Sequence, residues 1–330
     1  MTPEAAAGTP PPADFLHDLG DGVFAVDTGF HRERYDAAYL LVERGRAAFI
    51  DTGTAFAVPR LLAALDALGL ARDAVDWVLP THVHLDHAGG VGPLMQHLPA
   101  ARVLVHPRGL RHLVDPAALY AGALAVYGQA EMDRAYGTLM GVDADRIAAT
   151  TDGGSCDLAG RPLVFAHTEG HARHHHCIWD ARGGAWFTGD SFGMSYPEFE
   201  VDGRAFLFPT TTPVQFEPEN MHATVDRLLA AQPRQMFVTH FARVGHVAQA
   251  ARTLHHHIDE SVRHARAHAH LPAPERVPAI AQALLRAYAD GAQAHGVTLP
   301  RARIEALLHD DARLNAAGLD IWLSKAGAER

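Results

Sequence analysis

The order of hydrophobic runs predicts an α/β layered fold with a helical C-terminal appendage. Three observations carry the prediction. Strand-like apolar runs are interrupted by helical spacings up to about residue 243. One run, Trp77-Val78-Leu79, leads directly into Thr81-His82-Val83-His84-Leu85-Asp86-His87-Ala88-Gly89-Gly90, which places four metal-binding groups within six positions. From Gly245 onward no strand pattern is left.

Residues 1–19 begin with an Ala- and Pro-rich stretch and read as a flexible tail. It has no basic n-region and no continuous apolar core, so it does not read as a signal peptide. Val23–Val26, Tyr39–Val42 and Ala47–Ile50 read as strands, the last ending on Asp51-Thr52-Gly53. Leu61, Leu62, Leu65 and Leu68 recur at helical spacing before Gly69. A short helix over 92–98 and a strand over 102–105 follow. Residues 107–140 interrupt the rhythm with helical patterns carrying Tyr120, Tyr127 and Tyr136, and read as an insertion over the sheet. Strands resume at 163–166, 177–179 and 185–187, the last running into Thr188-Gly189-Asp190. Residues 191–213 are long and irregular, which usually marks function. A helix over 218–230 and a strand over 235–239 close the domain, which spans 20–243. Four helical stretches, 246–270, 275–295, 300–309 and 311–325, form the region 244–330, expected to pack near the site.

Composition narrows the function. The 330 residues carry a net charge of −10 with neutral His, which argues against a nucleic-acid partner because a phosphate backbone needs a basic face. No stretch approaches the roughly 20 apolar residues that span a bilayer. Two cysteines, Cys156 and Cys177, make no disulfide framework, so a reducing cytoplasm is the expected compartment. A small molecule is the expected partner, and the sequence leaves room for a homodimer.

With 24 His in the chain, a chance cluster is the alternative to a metal loop. The downstream residues weigh against chance. His171, Asp190 and His240 each lie just past a strand end, where loops converge on one sheet edge. At this point the chain resembles the metallo-β-lactamase-fold superfamily. His82-x-His84-x-Asp86-His87 matches the signature, and His171, Asp190 and His240 match the later motifs, over about residues 20–243.

The resemblance implies a four-layer αββα sandwich with two divalent metals at one edge, zinc first, with iron or manganese as alternatives. It implies that His82, His84 and His171 hold one metal, that Asp86, His87 and His240 hold the other, and that Asp190 bridges. Asp51 matches an Asp that orients the ligand loop, and His175 falls where relatives carry a non-ligand His near the metals. Seven ligands on two metals leave room for a bridging hydroxide, with Asp86 to orient it and take its proton. Hydrolysis of a small ester, thioester or lactone is the expected reaction.

Asp190 narrows the branch. In β-lactamases of this fold the corresponding residue is typically Cys or Ser. The layout is most similar to the hydroxyacylglutathione hydrolase-like and lactonase branch, although no glutathione-binding residues can be matched. A ribonuclease is disfavoured by the acidic balance, and a flavodiiron protein by His84. An iron protein acting on thiols, persulfides or oxygen, similar to sulfur dioxygenases, is the alternative reading. A non-catalytic metal-binding protein is the third. For substrate contacts the sequence offers Tyr196, Tyr120, Arg173, Arg243 and Arg204, each with an ordinary packing or surface role as the competing reading. His255, His256 and His257 are consecutive on a helix, point three ways and cannot form one compact site.

Overall fold

The computed structural model describes residues 14–211 and 214–328. Most of the segment read as a flexible tail lies outside these residues, but its end is corrected. Leu16–Asp18 forms strand β1, paired antiparallel with β2, Val23–Asp27.

Seven strands make the first sheet, in the order β1 to β7. After β2 come β3 (Ala37–Glu43), β4 (Arg46–Ile50), β5 (Val75–Leu79), β6 (Arg102–Val105) and β7 (Ile147–Ala149). Helix α1 (Val58–Ala67) connects β4 to β5. Helices α2 (Leu85–Ala88) and α3 (Val91–Met95) connect β5 to β6. The insertion between β6 and β7 holds α4 (Pro107–Val114), α5 (Ala117–Tyr127), α6 (Gln129–Glu131) and a π-helical turn over Met132–Tyr136. The second sheet runs β13-β12-β11-β10-β9-β8. Its strands are β8 (Ser155–Leu158), β9 (Arg161–His167), β10 (His176–Asp180), β11 (Ala185–Gly189), β12 (Gln235–Val238) and β13 (Ala242–Val244). Helix α7 (Pro218–Ala230) joins β11 to β12.

Period-two alternation explains why both faces of each sheet are apolar. In β3, Tyr39 and Leu41 point between the sheets toward Phe165, Ile178 and Phe187, whereas Ala38 and Leu40 point outward with α1 and α3. In the second sheet Phe187 and Phe237 point inward, whereas Trp186 and Met236 meet α7 and the C-terminal helices. The four layers of the αββα sandwich follow from this. Strands β1, β7, β8 and β13 have no counterpart in the sequence reading. They hold three or four residues each, too few for alternation to register.

Three C-terminal helices follow, α8 (Val247–Ala267), α9 (Ala273–His295) and α10 (Arg301–Ala328). The expected break at Asp310-Asp311 does not occur. A mid-helix Asp weakens a helix when its side chain competes for the backbone. The Asp311 carboxylate instead accepts hydrogen bonds from the Tyr196 (2.7 Å) and Tyr35 (3.3 Å) hydroxyls, so α10 runs through. Among the described residues no helix is long and apolar enough to cross a membrane.

One buried ion pair ties the second sheet together. Arg161 on β9 donates through Nε (3.1 Å) and Nη2 (2.5 Å) to Asp180 on β10, and through Nη1 to the Asp21 carbonyl. Both side chains are almost fully buried. Arg161→Met leaves the Asp180 charge buried and unpaired, and is expected to cost about 3–5 kcal/mol in urea unfolding.

Candidate metal centre

The fold brings the donors together through strand direction. Strands β4 and β5 are parallel, so their C-terminal ends share one edge and deliver Asp51 and the His82–His87 loop side by side. Strands β11 and β12 are also parallel and deliver Asp190 and His240 to the same edge. His171 follows β9, and β10, antiparallel to β9, starts at this edge with His175 just before it. Gly189 is required where the two sheets meet. Its φ is +48°, and a Cβ there would sit 2.5 Å from Thr81 Oγ1 and 2.6 Å from His175 Nε2.

Two donor groups result, joined by a third in which donor atoms of His82, His87 and Asp190 lie within 4.8 Å of one another. His82 Nε2 lies 2.9 Å from His84 Nδ1, which lies 3.1 Å from His171 Nε2. Asp86, His87 and His240 form the other group, with Asp86 Oδ2 3.7 Å from His87 Nε2 and 3.6 Å from His240 Nε2. Asp190 lies between them. Its Oδ1 is 3.2 Å from His87 Nε2 and 3.5 Å from His240 Nε2, while its Oδ2 is 3.4 Å from His171 Nε2.

The rear nitrogens of the rings are held. His87 Nδ1 donates to Asp51 Oδ2 at 2.8 Å. Asp51 also accepts from the Thr81 backbone N–H (2.7 Å) and the Thr81 and Thr239 hydroxyls. His171 Nδ1 meets the Thr210 hydroxyl at 2.7 Å, and His240 Nδ1 faces the Tyr35 carbonyl at 3.3 Å. Such partners fix ring orientation and tautomer in metal sites. His175 acts differently from a hydrogen-bonding support. Its ring stacks on His82 at 4.8 Å, and its Nδ1 meets the Thr168 and Ser191 hydroxyls.

Electrostatics divides the two groups. Burial lowers His82, His84 and His171, His84 to about 3, which favours the neutral imidazole form that binds a metal. Burial also opposes charge on His87 and His240, but Asp190 and Asp86 outweigh it, raising His87 well above its usual value and His240 to about 9. Burial pushes the carboxyls of Asp86 and Asp190 upward, and the facing histidines overcome it and hold both well below the usual range.

This donor set fits a pair of divalent cations. Three neutral imidazole nitrogens crowd one point, and two carboxylates face two imidazoles at another. The buried atoms His87 Nε2 and Asp190 Oδ1 have no hydrogen-bond partner among the described residues. His82, His84 and His171 would hold one ion, and Asp86, His87 and His240 the other. Thiolate ligation is not available here. Cys177 is buried in β10 and its thiol is pushed up by burial to about 12.

A family model described as the metallo-beta-lactamase superfamily matches residues 31–279. The chain belongs to that superfamily. A curated relative, the metallo-beta-lactamase fold-containing protein ST1585 of Sulfurisphaera tokodaii, is 30% identical over 151 residues, 43% of this chain. The chain spans about half (51%) of that relative's length in the match. The crystal structure of ST1585 superposes with a TM-score of 0.57 at 24% identity, covering 73% of this chain and 86% of that one. The family protein TTHA1429 of Thermus thermophilus superposes with a TM-score of 0.65 at 21% identity, covering 94% and 96%. A chemotaxis sensor, ODP, solved as a peroxy diiron species, reaches 0.51 at 16% identity, covering 73% and 93%. These structural likenesses show the shared superfamily fold.

The residues expected from sequence to contact substrate stand outside the lining of the cleft over the donors. A cleft of about 610 Å³ opens over the donors, lined by His84, Asp86, Asp190 and His240 on its floor. Tyr196 is buried behind it, its hydroxyl committed to Asp311. Tyr120 stands outside the lining and accepts a hydrogen bond from Gln129. Arg173 pairs with Glu217 at the surface, Arg204 turns onto Asp202 and the Val201 carbonyl, and Arg243 reaches the Leu19 carbonyl. The walls come instead from Phe30, Arg32 and Tyr35 after β2, from Tyr127 and Tyr136 in the insertion, and from one stripe of α10. The stripe has a signal in the sequence: Arg303, Ala306, Leu307, Asp310 and Leu314 recur at three- and four-residue spacing. Asp36 is also new. It is buried, pushed up to about 7 by that burial, with Oδ1 4.0 Å from His240 Nδ1.

Proposed function

We propose that the protein is a dinuclear metal-dependent hydrolase of a small ester, thioester or lactone. The observation that supports this reading most is Asp190, whose two carboxylate oxygens face the two donor groups separately. When bound, two divalent cations supply hydroxide at neutral pH and a positive field for the carbonyl oxygen. The chain's own residues do the rest. Asp86, its carboxyl kept ionised and its side chain 23% exposed to the cleft, takes the proton of the attacking water. Asp51, Thr210 and the Tyr35 carbonyl keep the imidazoles aimed. Tyr127 and Tyr136 line the cleft with aromatic surface that keeps water from the reacting bond.

Zinc is the first choice among N/O-binding metals, with iron and manganese next. Elemental analysis of purified protein is expected to give close to two metals per chain. Dipicolinate treatment is expected to abolish turnover of a thioester and lactone panel, and zinc to restore it. Activity that survives complete metal removal would sink the hydrolase reading. Bound iron with oxygen consumption on a persulfide would replace it with the oxidative one.

A further inference from the structure

A second cluster of metal-binding side chains lies where the sandwich meets the C-terminal helices. Helix α7 carries His222 and Asp226, and α8 carries His255 and Asp259. Each pair has the spacing His-x3-Asp, which puts both side chains on one face of its helix. The two faces meet, and each histidine finds the acid of the other helix. His222 Nε2 is 3.1 Å from Asp259 Oδ1, and His255 Nε2 is 3.3 Å from Asp226 Oδ1. The two Nδ1 atoms face each other at 2.6 Å. Of the consecutive histidines on α8, His255 thus faces α7, whereas His257 packs against Phe206 and Tyr288.

The ring geometry shows what the Nδ1 atoms present to each other. The ring planes are parallel within 6° and the centroids are 4.9 Å apart. That separation matches the 2.6 Å contact plus the two ring radii, so the rings lie edge to edge in nearly one plane. An ionised carboxylate only accepts, so each Asp favours the tautomer with its proton on Nε2. Both Nδ1 atoms then carry lone pairs, and these point at each other. Facing lone pairs repel unless a cation lies between them, either a shared proton or a metal ion. A carboxylate behind the ring is what a metal-binding histidine commonly has. The His222 and His255 side chains are 28% and 26% exposed, so an ion can enter from solvent and the rings have room to open. Two Zn–N bonds of about 2.0 Å at a tetrahedral angle need the nitrogens about 3.3 Å apart, a small rotation from the present contact.

We propose that His222 and His255 bind a borderline divalent cation of the zinc class through their Nδ1 atoms, clamping α8 onto α7, with water completing its shell. This site shares no residue with the seven donors of the metal centre and stands whether or not the protein is a hydrolase. It is tested by equilibrium dialysis of the full chain against buffered zinc. Wild-type protein is expected to hold one zinc more than His222→Ala or His255→Ala, and the double variant to match the single ones. Asp259→Asn is expected to weaken this zinc about 10–100-fold. His256→Ala, one position along α8, is expected to leave it unchanged. Once the metal centre is filled, further zinc is expected to raise Tm in wild type and not in His222→Ala. Equal zinc content in wild type and both single variants would overturn the proposal. In that case a far-downfield proton resonance lost in His222→Ala would assign the contact to a shared proton only.

Discussion

Asp190→Ala is expected to lower kcat by about 10²–10³-fold, the usual cost of removing one preorganised charge from an active site. It is also expected to lower the metal content of the purified protein. Both donor groups lose a shared anion at once, because Oδ1 serves His87 and His240 and Oδ2 serves His171. Asp190→Asn is the sharper test, since it keeps the shape and removes only the charge. If Asp190→Asn binds two metals as tightly as the parent and turns over normally, the bridging role is wrong.

Asp51→Ala is expected to show its largest effect in stability. Four donors converge on this buried carboxylate: the Thr81 N–H, the Thr81 and Thr239 hydroxyls, and His87 Nδ1. Removing it strands them in the interior, and Ala must also accept a φ of +55°, which Asp tolerates and Ala resists. The expected cost is about 3–5 kcal/mol. That lowers Tm by roughly 5–10 °C in a chain of this size, read by calorimetry of the metal-free protein. Asp51→Asn separates the two roles. It tolerates the same φ and still accepts from Thr81, but its amide opposes the His87 Nδ1–H. Metal affinity is then expected to fall about 10–100-fold with a smaller loss of stability. Equal affinity in the parent and Asp51→Asn would remove the orienting role.

These effects bear on what the sequence can disclose. The strands β2 to β6 and β9 to β12 were legible because each is long enough, or apolar enough on both faces, to stand out from its surroundings. The ligand loop was legible because metal donors are few in kind and were dense at one strand end. Superfamily membership, now shown by the match over residues 31–279, followed from the order of those motifs. The cleft wall was only partly legible, through the periodic stripe on α10. Tyr196, Tyr120, Arg173, Arg204 and Arg243 are chemically suited to hold a polar substrate, and nothing local shows that each is engaged elsewhere. The Tyr196 hydroxyl is committed to a carboxylate 115 positions later.

The α/β layering and the donor residues of the candidate centre can be read along the chain, because strand ends and metal chemistry are both local properties. The tertiary structure decided which donors meet. Parallel pairing of β4 with β5 and of β11 with β12 carries Asp51, His82, Asp190 and His240 to one edge. It also decided what faces them, by laying α10 across the opening. Registry between strands and the docking of a distant helix depend on packing over the whole chain, and no stretch of sequence carries them alone.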